Sequence, residues 1–304
     1  MAGTAGPSPG PLNGPEIERR LKALAALLRL QRPLDLPLVL LPALAALWVG
    51  ADGRPTAAAV LAVVVGGSLA RSAAWAVAGL PWRALQWRQL ARPVPLPGLE
   101  PLTHRDAALA VAVPAALALL IALPGGGPTL LAALGTAVLV AGLPWVRKNT
   151  YLGEVLMGLA FGGGTLIAYS LSGGAPGKPA WLLAVATALW ATAWAALLAA
   201  TRLEADLRAG HRSLAQFLGE GDRYLAALLQ GCALLAWLLA GRQLELGVFY
   251  KLGLATALGL VVYEQVLLQR RTLERYQRVV RQGVAFALAI FCGTAFHYLC
   301  VASH

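Results

Sequence analysis

Long apolar runs, separated by short polar or basic segments, cover most of the 304-residue chain. A helix needs about 20 mostly apolar residues to cross roughly 30 Å of hydrocarbon. Segments that approach this length lie at 34–50, 56–80, 107–123, 128–145, 155–172, 180–200, 224–240, 246–268 and 283–302. The pattern predicts an all-α polytopic membrane protein, a bundle of nine transmembrane helices.

The residues before the first apolar run have a different pattern. Residues 1–14 are rich in Gly and Pro and have no periodicity, which predicts a disordered tail. Residues 16–31 place basic and apolar side chains at helical spacing, which predicts an amphipathic helix on the membrane surface that leads into the first span. Because no repeat requires a second domain, we expect residues 15–302 to form a single domain.

Composition excludes a soluble protein of this size. Hydrophobic residues make up 58% of the chain and charged residues 13%, whereas soluble domains average about 45–50% and about 25%. The net charge of +11 would indicate nucleic acid as a partner in a soluble protein. Here the basic residues lie between apolar runs, so membrane orientation explains them, and we expect the lipid bilayer and no nucleic acid as a partner.

The distribution of basic residues predicts the orientation. All Lys and Arg residues except Arg54, Lys178, Arg242 and Lys251 fall in or near the N-terminal segment and the loops after spans 2, 4, 6 and 8. By the positive-inside rule, the N-terminus and the long basic loops lie in the cytoplasm and the C-terminus lies outside. A bacterial inner membrane is the expected location.

Several segments match a known family in order and spacing. Residues 28–55 contain Arg32-Pro33 and an Ala-Asp-Gly-Arg-Pro turn, and residues 143–161 contain Pro144, Arg147-Lys148 and Gly158. Together with 206–222 and the end of span 8, they make the chain resemble the UbiA superfamily of intramembrane aromatic prenyltransferases over roughly residues 28–300. Within it, the chain resembles the 4-hydroxybenzoate polyprenyltransferases of ubiquinone biosynthesis.

The resemblance implies a fold, a reaction and a cofactor. The helices are expected to surround one central cavity, open to the cytoplasm and to lipid. The implied reaction transfers a polyprenyl group from its diphosphate to an aromatic acid such as 4-hydroxybenzoate. Family members hold the diphosphate through Mg²⁺ bound by two Asp-rich motifs. The partners implied are therefore a polyprenyl diphosphate or another isoprenoid lipid, and an aromatic acceptor.

The chain departs from the family at both motifs. The first is Asn-Asp-x-x-Asp-x-x-x-Asp. Alignment on Arg92-Pro93 puts Trp75, Ala76, Gly79 and Arg83 at its Asn and Asp positions, and alignment on Arg71 puts Ala78, Gly79, Trp82 and Gln86 there. In either case residues 53–99 contain no carboxylate. The second is Asp-x-x-Tyr-Ala-x-x-Asp-x-x-x-Asp, and its Asp, Tyr, Asp and Asp positions hold Ala195, Leu198, Arg202 and Asp206. Asp206, with Glu204 nearby, is what remains for a metal.

Basic residues suggest another way to bind the diphosphate. Arginine binds phosphate oxygens bidentately and keeps its charge. The candidate diphosphate-binding residues are Arg88, Arg92, Arg147, Lys148 and Arg202. They either converge on one cavity or only set the topology of the chain. Convergence of Arg88, Arg147 and Arg202 would favour diphosphate binding, and a cavity closed by Trp82 or Trp194 would exclude it. The sequence assigns no catalytic residue.

The sequence leaves three functional classes. The resemblance implies a UbiA-type prenyltransferase. The missing carboxylates favour a non-catalytic homologue that binds a quinone, a polyprenyl lipid or a membrane partner. A transporter or channel would require ionisable residues within spans, and the interiors of spans 1, 3, 6 and 7 contain none.

Five further residues are open to interpretation. Gly158 and Gly162 permit close helix packing or leave room for a prenyl chain. Asp35 and Glu264 are expected at solvated helix ends. Glu154, at a Gln position of the family, either contacts an acceptor or only begins a helix.

Overall fold

The computed structural model describes residues 14–30, 35–80, 99, 101–172, 175–208 and 210–301. Within these ranges the chain is helical, with no β-strand. The helices are α1 (Gly14–Leu27), α2 (Asp35–Gly50), α3 (Ala57–Gly79), α4 (His104–Ala122), α5 (Gly126–Asn149), α6 (Gly153–Ser170), α7 (Lys178–Ala200), α8 (Leu203–Arg208), α9 (Leu214–Leu218), α10 (Asp222–Gln243), α11 (Val248–Leu268) and α12 (Leu273–Val301).

Each predicted span overlaps one of the longer helices, α2–α7 and α10–α12. In the part of the chain that the structure describes, six helical stretches are long and apolar enough to cross a membrane, and one of these, His104–Asn149, contains both α4 and α5. Helix α2 is apolar but shorter, and α6 has 18 residues, of which five are Gly. The all-α membrane fold is therefore supported, whereas the count of nine spans stays a prediction.

The predicted amphipathic helix is present as α1. Its Ala23 and Leu27 are buried against Ala76 of α3 and Ala107 of α4. Helix α4 in turn begins with a capping box, in which the Thr103 side chain accepts from the backbone N–H of Asp106 and the Asp106 side chain accepts from that of Thr103. Helix α1 thus packs on the bundle near the start of α4.

A cluster of aromatic side chains fills the core between α7, α10 and α12. Trp190, which is 1% exposed, stacks on Phe286 with the ring centroids 5.3 Å apart. Trp237 lies 5.5 Å from the same Phe286 ring, and its carbonyl oxygen accepts from the hydroxyl of Tyr250 of α11 at 2.7 Å. Helix α7 is thereby packed into the centre of the C-terminal half of the bundle.

Close packing of α6 against α7 depends on two glycines. A Cβ added at Gly158 would lie 2.5 Å from the carbonyl oxygen of Ala188, and one at Gly162 would lie 2.6 Å from that of Ala184. Only a residue without a side chain allows the two backbones to approach so closely. The packing interpretation of these glycines is therefore correct.

The structure corrects the expectation that Glu264 is solvated, whereas Asp35 lies at a helix end as expected, at the start of α2. Glu264 is 2% exposed, and its carboxylate accepts from the Nε2 of Gln230 in α10 at 2.7 Å. Asp35 lies 3.6 Å from the guanidinium of Arg71, which is buried in the body of α3 and not in the following loop. Both acids have partners on neighbouring helices, because a charged group away from water needs a counter-ion or hydrogen bonds.

Candidate functional site

A large apolar cavity lies between helices α2, α3, α4, α5 and α6. Its volume is about 400 Å³, and its lining in the described residues is almost entirely aliphatic and aromatic. Arg71 is the single charged residue among these lining residues. The volume falls in the range of about 300–1,000 Å³ that is typical of pockets for small organic ligands.

A small polar pocket lies where the C-terminal ends of α5 and α7 meet the N-terminal end of α6 and helix α8. Its volume is about 30 Å³, which is room for one or two water molecules. It is lined by Trp75, Arg147, Gly153, Glu154, Met157, Ala195, Leu198, Ala199, Arg202 and Asp206. Trp75 and Met157 also line the apolar cavity, so the two spaces adjoin at these residues.

Arg147 is the central side chain of the polar pocket. Its Nη2 donates to Asp206 Oδ1 at 3.1 Å, and its Nη1 donates to the carbonyl oxygen of Ala78 at 3.4 Å. Gly153 makes space for it, because a Cβ there would lie 2.6 Å from Arg147 Cγ. The guanidinium therefore bridges α3 and α8 beside the pocket.

Asp206 is almost completely buried and only partly paired. It is 6% exposed, and its Oδ2 has no hydrogen-bond partner among the described residues. The Nδ1 of His211 lies 3.9 Å from Asp206 Oδ1. A buried carboxylate oxygen without a partner is costly, so this atom could accept from a further donor in the pocket.

The segment after α8 is fixed to the junction of α5 and α6. The backbone N–H of Arg212 donates to the carbonyl oxygen of Arg147 at 2.7 Å, and its guanidinium donates to that of Asn149 at 2.8 Å. The N–H of Leu214 donates to Glu154 Oε2 at 3.1 Å. Burial raises the pKa of the Glu154 carboxyl, and the hydrogen bond from Leu214 acts in the opposite direction.

The structure brings together some of the residues predicted from sequence. Arg147, Arg202 and Asp206 all line the polar pocket. Lys148 is exposed and is not among the lining residues. Arg88 and Arg92 lie outside the described residues, and so does Trp82. Trp194 lines neither space, because its Nε1 donates to the carbonyl oxygen of Val280 within the core.

The two acidic residues named from the sequence have different outcomes. Glu204 points into solvent, with a side chain that is 85% exposed and paired to Arg208 at 3.2 Å, so it is not part of the pocket. Glu154 lies in the first turn of α6, as one interpretation predicts. It is also buried in the pocket wall, within electrostatic range of Asp206, and its contact with an acceptor stays a prediction.

One position aligned with the first motif lies beside the positions aligned with the second. Trp75, from the first motif, and Ala195, Leu198, Arg202 and Asp206, from the second, line the same space. The Arg29 guanidinium covers the Trp75 ring at 4.0 Å from its centroid. By the alignment made from the sequence, Ala195, Arg202 and Asp206 are the pocket residues at Asp positions of the second motif, and only Asp206 is acidic.

The residues present do not fit a pair of Mg²⁺ ions. Mg²⁺ prefers a near-octahedral shell of oxygen atoms, many of them from carboxylates and substrate phosphates. The described residues contain no group of three or more His, Cys, Asp or Glu that could hold a metal. Segment 81–98, outside the described ranges, has no such residue in its sequence.

Comparison with known proteins establishes the family. The model of the UbiA prenyltransferase family matches residues 87–297. The chain belongs to the UbiA prenyltransferase family. It is 35% identical over 286 residues to the 4-hydroxybenzoate octaprenyltransferase of Nitrosococcus oceani, covering 93% of this chain and 99% of that protein. It is 33% identical to the enzyme of the same name from Pseudomonas aeruginosa, covering 90% and 92%.

Solved UbiA structures share the fold. A UbiA homologue from Aeropyrum pernix superposes with a TM-score of 0.67 at 18% identity, covering 88% of this chain and 98% of that one. A UbiA homologue from Archaeoglobus fulgidus, bound to DMAPP and Mg²⁺, superposes with a TM-score of 0.65 at 17% identity, covering 89% and 99%. At these identities the likeness establishes the fold alone.

Proposed function

We propose that this UbiA family member transfers a polyprenyl group from its diphosphate to an aromatic acid such as 4-hydroxybenzoate, as a step in quinone biosynthesis. The observation that carries the proposal is the junction at Trp75 and Met157, where the apolar cavity meets the polar pocket. An isoprenoid diphosphate has the same division, with an apolar chain joined to an anionic head. The curated relatives named 4-hydroxybenzoate octaprenyltransferase support the acceptor.

The apolar cavity is suited to the prenyl chain. Its volume of about 400 Å³ accommodates the reacting end of the chain, and the remainder of a long polyprenyl group can extend into lipid. Aliphatic walls exclude water from the allylic carbon. Exclusion of water protects a reactive allylic cation from hydrolysis and strengthens electrostatic interactions within the site.

The polar pocket is suited to the leaving group. Transfer requires the allylic C–O bond to break, with the electron pair leaving on the diphosphate, and the aromatic carbon then forms the new C–C bond and loses its proton. Arg147 and Arg202 line the pocket and would stabilise the charge that develops on the diphosphate. Cationic donors aimed at developing charge are a large source of catalysis.

Arg71 is the group on the cavity wall best suited to bind the carboxylate of the acceptor. It is buried in α3, one helical turn before Trp75, and it faces the apolar cavity. Its guanidinium lies 3.6 Å from Asp35 Oδ2, so an incoming carboxylate would share or displace this contact. A planar guanidinium binds carboxylates in a bidentate manner.

The test is prenyl transfer to labelled 4-hydroxybenzoate in membranes that contain the protein. We expect product from the wild type and loss of nearly all product in Arg147→Ala. Arg208→Ala is the matched control, because Arg208 lies at the same end of the bundle and its ion pair with Glu204 is solvent-exposed. Absence of product from wild-type protein that is demonstrably folded would reject the proposal.

A non-catalytic binding protein is the second candidate, and one observation favours it. The polar pocket has a volume of only about 30 Å³, and two of its lining side chains, Arg147 and Asp206, are paired with each other. In such a protein the apolar cavity would bind a quinone or a polyprenyl lipid without turnover. Binding of an isoprenoid alcohol as tight as that of its diphosphate, with no product, would support this function.

A further inference from the structure

We propose that the polar pocket binds the diphosphate group through arginine side chains without a divalent metal ion, and that Arg202 supplies the positive charge for which a metal would otherwise be recruited. The inference rests on the proposed function, because it concerns the same pocket and the same substrate class. It follows from three features of the described residues: the state of the carboxylates, the position of the arginines and the small size of the pocket.

The acidic residues in the pocket are already engaged. Asp206 Oδ1 accepts from Arg147 at 3.1 Å, and Glu154 Oε2 accepts from the backbone N–H of Leu214 at 3.1 Å. Asp206 Oδ2 is the buried carboxylate oxygen that remains without a partner here. One such oxygen supplies a small part of the shell that Mg²⁺ requires.

The arginines supply the charge that is needed instead. Arg202 lines the pocket at a position that aligns with an Asp of the second motif, so the local charge changes from negative to positive. Arg147 adds a second guanidinium to the lining of the same pocket. Because arginine stays charged and forms paired hydrogen bonds with phosphate oxygens, two guanidinium groups can hold a diphosphate that would otherwise need a metal.

Asp206 acts in this arrangement as a counter-ion that occupies Arg147 until the ligand arrives. The pocket is too small for a diphosphate while the two side chains are paired at 3.1 Å. A diphosphate that accepts from Arg147 Nη2 takes the place of Asp206 Oδ1, so Asp206 competes with the ligand. A metal ligand would have the opposite effect, because its removal would weaken binding. Replacement of Asp206 thus distinguishes the two modes.

The experiment measures binding of radiolabelled farnesyl diphosphate to the purified, detergent-solubilised protein, in EDTA and in millimolar Mg²⁺. We expect the same affinity in both buffers. Arg147→Gln and Arg202→Gln should each weaken binding by about tenfold or more, because each removes charge-assisted hydrogen bonds. Asp206→Asn should bind as tightly as the wild type or more tightly. Arg208→Gln is the control and should bind normally.

Further measurements distinguish a loss of binding from a failure to fold. Thermal unfolding of each variant in detergent shows that it is folded before binding is scored. Arg202→Asp places the Asp of the family's motif at this position, so it should abolish binding in EDTA. Unlabelled inorganic diphosphate should compete with farnesyl diphosphate, whereas farnesol should not. Binding that requires Mg²⁺, or a loss of tenfold or more in folded Asp206→Asn, would overturn the inference.

The outcome also separates this inference from the proposed function. Metal-independent binding without prenyl transfer would leave the inference standing and reject the transferase. Transfer that depends on Mg²⁺, together with Mg²⁺-dependent binding, would reject the inference and leave the transferase standing. Absence of farnesyl diphosphate binding by folded protein in both buffers would reject the inference whatever the transfer assay shows.

Discussion

The two sides of α6 differ in how closely they are packed. On the side that faces α7, Gly158 and Gly162 bring the two backbones together, so that a single added Cβ would collide with carbonyl oxygens. On the other side, Ala160 and Gly164 border the apolar cavity of about 400 Å³, and a Cβ at Gly164 would meet nothing within 4 Å. Small residues thus close one interface and leave the other open.

The difference shows that the neighbouring helix decides what a small residue does. Helix α7 presents Ala184 and Ala188 to α6, so the two helices can approach to contact. On the opposite side, helices α2 to α5 stand around a space that their side chains do not fill. Protein interiors are normally packed to the density of organic crystals. A void of this size beside a buried arginine therefore indicates a place for a ligand.

The largest expected effect tests the packed side. Trp190→Ala removes a side chain that is 1% exposed and stacks on Phe286 at 5.3 Å. We expect a loss of about 3–5 kcal/mol in stability, because the core cannot collapse around the space. Thermal unfolding in detergent measures it. Trp181→Ala, in the same helix at 55% exposure, is the control, and equal shifts for both would contradict this account of the core.

The next prediction compares the two sides of α6 directly. Gly158→Ala forces a Cβ to within 2.5 Å of the Ala188 carbonyl oxygen, so we expect a loss of about 1–3 kcal/mol from overpacking. Gly164→Ala makes the same chemical change into open space, and the better helix propensity of Ala should leave stability unchanged or raise it by up to about 1 kcal/mol. Unfolding temperatures of the two variants should therefore move in different directions. A similar loss in both would mean that the cavity is not open in solution.

The positions of the helices along the chain could be predicted from the sequence, whereas the side-chain contacts between helices could not. The length of an apolar run is local information, so the predicted spans overlap the observed helices. Burial of Glu264 depends on Gln230, which lies 34 residues earlier on another helix. Nothing in the sequence around Glu264 records that contact, and this is why the residue was expected to be solvated.

The site was predictable to the extent that the family pattern survives. Arg147, Arg202 and Asp206 were candidates because they stand at positions that resemble the family's segments, and all three line one pocket. Glu204 was predicted to bind a metal together with Asp206, although helical geometry was sufficient to exclude this. Residues two apart on a helix do not share a face, so if Asp206 points inward, Glu204 must point outward, as it does at 85% side-chain exposure.

A third prediction sharpens the contrast by filling the cavity. Ala160→Leu adds apolar volume where the structure has space, so its effect on stability should stay within about 1 kcal/mol. Binding of farnesyl diphosphate should weaken by about tenfold, because the added side chain occupies room for the prenyl chain. Ala191→Leu in α7, at 0% exposure, makes the same substitution in the packed core and should unfold at a clearly lower temperature. Normal farnesyl diphosphate binding by Ala160→Leu would place the prenyl chain elsewhere.

The smallest expected effect concerns Glu154, in the first turn of α6. Burial raises the pKa of its carboxyl above the ordinary value of 4.5, so the folded protein holds this proton more tightly than the unfolded chain. Its contribution to stability is therefore complete below pH 4.5 and is lost as the pH rises through the pKa of the folded state. Glu154→Gln keeps an acceptor for the N–H of Leu214 but cannot ionise.

Unfolding temperatures of the wild type and Glu154→Gln, measured in detergent from pH 4.5 upward, test this sign. The wild type should lose stability relative to Glu154→Gln as the pH rises, and the difference should become constant once the carboxyl has ionised. Glu204→Gln is the matched control, because its parent carboxylate is 85% exposed and should show no such divergence. If the wild type instead gained stability relative to Glu154→Gln as the pH rises, the attraction between the Glu154 carboxylate and Arg147 would outweigh the cost of burying that charge.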